Sequence, residues 1–406
     1  VSALPPKSDR PLDERAARRA FVASPVVVAG VPMLPFLKGA LTGLAFGIVL
    51  YKVGATRYSR VMGMLTLRDT KIMKFAFTAI AVTAMGYGLA GALGVAEAMN
   101  LVPRTMPFIG PAHLLGGVMF GVAMGTTGLC PGTCAARTGG RGGEKKFMGL
   151  ASLLGLLFGT LFFVAIKDWL LEVGVIAGNQ KPLTLHGLLG LPYAPTALVL
   201  GAAVLAIVMG VDRLTPERSY EPVAERKSVI DYIRGEWSFV AGGVVGGLLI
   251  LAATMQGGYL GFSGAVLAAV GWVANLIGVP FSAVPTINDD ILWRAALIIG
   301  VLPGGFVAKL LSTPSKEAAT HPAPKVLDVP ALLKTTSMIT IMTAGAMIGG
   351  GCTTGAFISA WPTLSLGSFA MSLTFFATSM AVSNARIWLG ALDMKQAQAI
   401  GDRVYD

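Results

Sequence analysis

The chain has 406 residues, of which 54% are hydrophobic and only 13% charged, where a soluble globular protein carries about 25% charged residues. Glycine accounts for 52 positions, nearly twice the usual share of ~7%, and the mean hydropathy is +0.69. Such a chain cannot cover a water-facing surface with polar groups, which excludes a soluble nucleic-acid binder, a disordered chain and a secreted disulfide scaffold; the net charge of +11 is what basic loops give a membrane protein.

In chain order, Lys7, Arg10, Arg15, Arg18 and Arg19 mark a polar arm over residues 1–30. The arm reads as cytoplasmic, and the apolar run after it lacks the pattern of a cleaved signal peptide. Apolar runs follow at 36–51, 75–95, 107–126, 147–166 and 194–211, in a first membrane half spanning 31–211. A mixed-charge linker occupies 212–236. The second half, 237–392, carries runs at 238–256, 258–278, 293–311, 333–351 and 364–392, and a tail covers 393–406. A span needs roughly 20 apolar residues, so these runs predict an all-α polytopic membrane protein with about nine to ten transmembrane helices. The alternating ten-residue strands of an outer-membrane barrel are absent.

Lys52, Arg57, Arg60, Arg68, Lys71 and Lys74 form a second basic cluster, separated from the arm by one apolar run. A simple span at 36–51 would place the two clusters on opposite sides of the membrane. The sequence favours a broken first element, in which 52–66 turns back into the protein. Irregular backbone at membrane depth is tolerated where protein or a water-filled cavity surrounds it.

Two segments carry the chemistry. Gly117, Gly121 and Gly125 form a stripe for close helix packing, and the stripe runs into Gly128-Leu129-Cys130-Pro131-Gly132-Thr133-Cys134. Pro131 disfavours a helix through Cys130, so a turn is expected there, with a short helix starting near Thr133. The N–H groups at that helix start suit an anion. The other segment is Gly349-Gly350-Gly351-Cys352-Thr353-Thr354, where three glycines in succession should unwind the helix. Aligning Cys130 on Cys352 also aligns Gly128 on Gly350, and 37–47 has a counterpart in 240–250. Broken helices at matching positions of two halves point to a transporter site. The bland alternative is two Gly-rich packing helices.

Three cysteines and three histidines give neither a zinc site nor a disulfide framework. No phosphate loop, haem ligand pair or buried acidic ladder is present, so no cofactor and no metal is expected. His113, Arg386, Lys309 and Lys334 sit near predicted helix ends, where an interfacial position explains them; Arg57 and Arg60 are candidates to line an anion route.

At these motifs the chain resembles the YeeE/YedE family, also called the sulfur-transport family, over most of 36–392. The matching pieces are GIVLYKVGATRYSRVMGMLTLRDTKIMKFAFTAI at 47–80, GLCPGTCAA at 128–136, GAMIGGGCTTGAFISA at 345–360 and LSLGSFAM at 364–371. The resemblance implies a bacterial inner-membrane protein of two related halves, whose re-entrant elements meet at a central constriction lined by cysteines. By matching position Cys130 and Cys352 are the central cysteines. Where many members carry a further cysteine in a Gly-x-Cys context, this chain has Gly54-Ala55-Thr56; Thr56 takes that place, and Cys134 is an additional thiol. The implied substrate is a small sulfur-containing anion, thiosulfate first, bound by Thr56, Arg57, Cys130, Pro131, Gly132, Thr133, Cys134, Gly350, Gly351, Cys352, Thr353 and Thr354. The implied partners are this anion and the lipid bilayer, with room for a soluble sulfur-carrier or sulfurtransferase protein and none for nucleic acid. The leading expectation is an importer and not an enzyme. The alternatives are a membrane thiol enzyme or sulfur relay acting through Cys130 or Cys134, and a structural subunit of a larger membrane complex.

Overall fold

The computed structural model describes residues 33–101, 103–140, 146–176, 182–216, 229–284, 286–312 and 329–392. The polar arm, the tail and residues 313–328 lie outside them, as does the middle of the expected linker. The described residues form helices joined by turns and irregular segments, with one isolated antiparallel bridge between Thr184 and Ser365.

The helices are α1 (Met33–Val53), α2 (Tyr58–Leu65), α3 (Lys71–Ala92), α4 (Gly110–Thr127), α5 (Pro131–Gly140) and α6 (Lys146–Glu172). After them come α7 (Leu185–Leu188), α8 (Tyr193–Leu214) and α9 (Val229–Arg234), the last lying within the linker. Next are α10 (Phe239–Met255), α11 (Phe262–Leu276), α12 (Asp289–Leu310) and α13 (Val329–Ile348). A π-helix (Thr353–Ser359), a single 3₁₀ turn (Trp361–Thr363) and α14 (Leu366–Trp388) complete the chain. Eight helical segments are long and apolar enough to cross a membrane; α10 and α11 are shorter apolar helices. This is an all-α polytopic membrane protein.

The order of elements recurs. Two helices, two long ones, a break before a cysteine, a short helical element and a long helix describe both α1–α6 and α10–α14, the short element of the second series being the π-helix. The opening pair is 21 and 8 residues in the first series and 17 and 15 in the second. Glycine rows decide how the helices meet, because only a missing side chain lets backbones touch. A Cβ on Gly39, Gly43 or Gly47 of α1 would overlap or crowd the α12 backbone at Trp293, Leu297 and Val301. Gly242, Gly243 and Gly247 of α10 lie as closely against Val53, Phe75, Thr78 and Val82, the last three on α3. Thus the first helix of each series packs on the third of the other. The stripe Gly117, Gly121 and Gly125 packs α4 on α14 at Thr374, Thr378 and Ser379, the packing role expected of it. Local capping agrees: Ser238 and Asn288 accept the N–H groups of Ala241 and Ile291 at the starts of α10 and α12.

The first element departs from the sequence reading in one respect. Helix α1 is continuous over 21 residues and is itself long enough to span. The turning back happens after it: Gly54 adopts φ +86°, and α2 follows with every residue from Tyr58 to Leu65 buried. Helix α3 then starts at the face where α1 ended, since Lys52 and Lys71 both reach the 234–236 segment.

Candidate functional site

Gly128 closes α4 in the left-handed conformation at φ +63°, and Gly350 does the same after α13 at φ +83°. Each lies two residues before a cysteine. The left-handed region is open to glycine and costly for other residues, so both chains turn inward at the same relative position. After the first turn, helix α5 begins at Pro131, two residues earlier than Thr133, because proline fits the first helical position. Cys130 stands at its N-cap. Its carbonyl accepts from Cys134 N–H at 2.8 Å, and its own N–H donates to Thr133 Oγ1 at 2.7 Å. Thr133 Oγ1 also lies 2.9 Å from the Cys130 carbonyl and 3.4 Å from Sγ. Gly132 packs flat against Phe262, leaving no room for a side chain.

After the second turn, Cys352 caps the π-helix in an extended conformation, and its carbonyl accepts from Ala356 N–H at 2.7 Å. The wide π turn is rare and concentrates at functional positions. The N–H groups of Gly351 and Cys352 are buried and make no hydrogen bond among the described residues. Cys130 and Cys352 are free, buried thiols, 7% and 0% exposed. They are electrostatic neighbours, with the Thr133 and Thr353 hydroxyls beside Cys130.

Cys130, Thr133, Thr353 and Thr354 line a cavity of about 60 Å³. Its other walls are apolar: Leu50, Val61, Met64, Phe75, Met124, Phe357 and Phe376. Two further cavities sit at opposite ends of the antiparallel pair α4 and α13. The one of about 190 Å³ is lined by Arg104, His113, Tyr259, Gly349 and Gly350. There the Arg104 guanidinium lies 4.8 Å over the Tyr259 ring, and the Tyr259 hydroxyl donates to the Gly355 carbonyl of the π-helix. The other, of about 230 Å³, is lined by Thr126, Leu129, Arg137, Lys334 and Arg386. It shares Leu129 with the cavity at Cys130.

The expected residues fall into three groups. Cys130, Thr133, Thr353 and Thr354 line one cavity, with Cys352 an electrostatic neighbour of Cys130 though not on the cavity wall. Pro131, Gly132 and Gly351 adjoin them in the chain without lining it, and Gly350 lines the Arg104 cavity. Cys134 is fully buried on α5 and does not line the cavity. From the turn at Gly54 it is Ala55 that lines the cavity, while Thr56 is buried beside it. Arg57 lies 3.7 Å from Glu236, and Arg60 pairs with Asp69 at 2.6 Å and Glu236 at 2.9 Å. These two arginines therefore belong to an ion cluster that holds α2, not to the cavity wall. His113 is buried rather than interfacial. Ile109 N–H donates to its Nε2 at 2.9 Å, and Nδ1 lies 3.0 Å from the Gly349 carbonyl, which ties α4 to the end of α13.

Sequence reading missed Arg104, Tyr259, Met64 and Arg137. Only Arg137 had a signal: Cys130, Cys134 and Arg137 are spaced i, i+4, i+7, one face of a helix.

A family model described as sulphur transport matches residues 57–381, across both cysteine turns. The chain belongs to the sulphur-transport family. A relative of known role is the thiosulfate transporter TsuA of Spirochaeta thermophila, 26% identical over 362 residues. The alignment covers 83% of this chain and 94% of the relative, so the likeness extends over most of both chains and not over one motif.

Proposed function

We propose that the protein carries a small sulfur-containing anion, thiosulfate in the first place, across a bacterial cytoplasmic membrane past Cys352 and Cys130. The observation that carries this reading is the pair of buried N–H groups at Gly351 and Cys352 that lack an acceptor. Buried backbone donors are almost always satisfied. Two adjacent orphans beside two thiols and the Thr353 hydroxyl form a neutral donor set for an anion. A neutral set suits transport, since binding must be weak enough to release. The thiols act as S–H donors to the sulfur and oxygens of the anion and remain protonated, because a thiolate would repel it. No bond is made or broken.

The flanking cavities extend the route. Arg104 draws the anion to one end, and the cations at the other end receive it. The relative supports the choice of thiosulfate, being itself named a thiosulfate transporter. A thiol enzyme needs an accessible, activated cysteine; Cys130 and Cys352 are buried, which favours passage over nucleophilic attack. A soluble sulfur-carrier protein would meet the imported anion at the basic end.

The test is uptake of sulfur-labelled thiosulfate into proteoliposomes holding only this protein. Cys352→Ala should cut uptake to background while the protein elutes and melts as wild type. Undiminished uptake by that variant would remove the cysteine from the route, and absence of uptake by folded wild type would sink thiosulfate transport by this chain alone.

A further inference from the structure

The turn after the first helix recurs in the second series with a different residue at its tip. Gly54 after α1 and Gly257 after α10 both adopt the left-handed conformation, at φ +86° and +75°. Two residues further on stand Thr56, which is buried, and Tyr259. Tyr259 lines the cavity of about 190 Å³ at the Arg104 end, and its hydroxyl donates to the Gly355 carbonyl inside the π-helix. The Ala360 N–H, which a further π turn would bring to that carbonyl, goes to Phe357 instead. The phenol packs against Gly261, where a Cβ would come within 2.7 Å of the ring. The guanidinium of the exposed Arg104 stacks over the ring at 4.8 Å, and Tyr259 and Cys352 are electrostatic neighbours. The backbone on either side of Tyr259 is held. Gln256 Oε1 accepts from Trp293 Nε1 at 2.9 Å, Gly258 leaves no room for a side chain against the Trp293 ring, and the Leu260 carbonyl accepts from Ser359 Oγ at 2.7 Å. The motion left to Tyr259 is therefore rotation of its side chain.

We infer that the Tyr259 side chain is a gate between the Arg104 cavity and Cys352, closed here by its bond to Gly355 and latched by Arg104. Among the described residues none lines both the Arg104 cavity and the Cys130 cavity, and Cys352 is 0% exposed. Gly350 stands on the wall of the Arg104 cavity, whereas the Tyr259 hydroxyl bonds three residues beyond Cys352. The phenol thus bridges the step that an anion takes from Arg104 to the N–H groups of Gly351 and Cys352. Arg104 ties capture to opening. A guanidinium is drawn to a ring face by the ring quadrupole, and an anion that pairs with it forms the stronger contact. The arriving anion therefore loosens the hold on the ring that bars its way. The inference rests on the transport reading for what passes the gate, but not for the existence of the gate.

The experiment follows the initial rate at which N-ethylmaleimide, a small neutral thiol reagent, modifies each cysteine of the full-length protein in detergent, read by peptide mass. Tyr259→Phe keeps the ring and removes the bond to Gly355. It should speed modification of Cys352 by about five-fold or more, the change that loss of one hydrogen bond gives, and leave the rate at Cys130 as in wild type. Arg104→Gln should speed Cys352 by a smaller factor, again without effect on Cys130. A Cys352 rate unmoved by Tyr259→Phe would overturn the gate. Equal acceleration at both cysteines would also overturn it, because it would show a general loosening of the fold. Selective exposure of Cys352 in a protein whose wild type shows no thiosulfate uptake would defeat the transport reading while leaving the gate standing. Cysteine-dependent uptake with Cys352 modification indifferent to Tyr259→Phe would do the reverse.

Discussion

At Cys130 one hydroxyl sets the geometry. Thr133 accepts the Cys130 N–H at 2.7 Å and sits 3.4 Å from its sulfur, so the side chain caps the helix start and orients the thiol together. Loss of one hydrogen bond of this kind costs about 0.5–1.5 kcal/mol. Thr133→Val keeps shape and removes the acceptor; it should lower the thermal midpoint in detergent and reduce thiosulfate uptake. Thr133→Ser should restore both. Equal loss in the two variants would mean that packing, and not the hydroxyl, places Cys130. Gly128 gives a second residue-scale prediction. Its φ of +63° penalises any Cβ, and a Cβ there would lie 2.9 Å from the Tyr58 ring. Gly128→Ala should destabilise by about 1–2 kcal/mol from the backbone alone, read as a lower melting midpoint. An unchanged midpoint would show that the turn relaxes freely.

Among the elements, α2 depends most on ions. Its buried Arg60 and the adjoining Lys71, each 1% exposed, converge on Glu236, whose side chain is 6% exposed. Glu236 closes the polar linker, so a residue of the linker holds the re-entrant helix whose Val61 and Met64 line the cysteine cavity. Breaking a buried pair strands charges and costs about 3–5 kcal/mol. Glu236→Gln should therefore lower the melting midpoint strongly, and Lys71→Met in the same chain should recover part of the loss by removing one stranded cation. A mild effect of Glu236→Gln would mean that water reaches the cluster. The sequence pointed to a re-entrant turn at 52–66, but on a premise that fails: α1 is one continuous helix long enough to span, so the apolar run itself is not broken and the turn comes only after it. The anchor of the turn was not legible: Glu236 is one acid in a mixed-charge linker, and nothing local links it to Arg60.

On the scale of the whole molecule basic residues are concentrated at one end. Lys52, Arg60, Lys71, Arg137, Lys334 and Arg386 lie toward one end of the helices. At the other, Asp168 and Glu172 close α6 and Asp289 and Asp290 open α12. Basic residues face the cytoplasm, so the Arg104 cavity should face outward and the Arg137 cavity inward. Two exposed positions test this: Glu172→Cys should react with a membrane-impermeant maleimide on intact cells, and Arg213→Cys only after permeabilisation. The native cysteines are buried and give a low background. The opposite labelling pattern would reverse the direction of the route.

Composition and apolar run length by themselves determined a helical membrane protein, because only intrahelical hydrogen bonding satisfies a backbone in lipid. The glycine–cysteine pairs at 128–130 and 350–352 marked the two inward turns, since three glycines in a row or a Cys-Pro step cannot continue a helix. What only the tertiary structure decided is which groups meet. Arg57 and Arg60 turn to Glu236, Ala55 lines the cavity while Thr56 is buried beside it, Cys134 stays inside α5, and Arg104 and Arg137 mark the two ends. Helix breaks are local and follow from backbone chemistry. The meeting of α4 with α13, and of each series with the other, depends on backbone-to-backbone contact between glycine rows distant in sequence, which no single segment encodes.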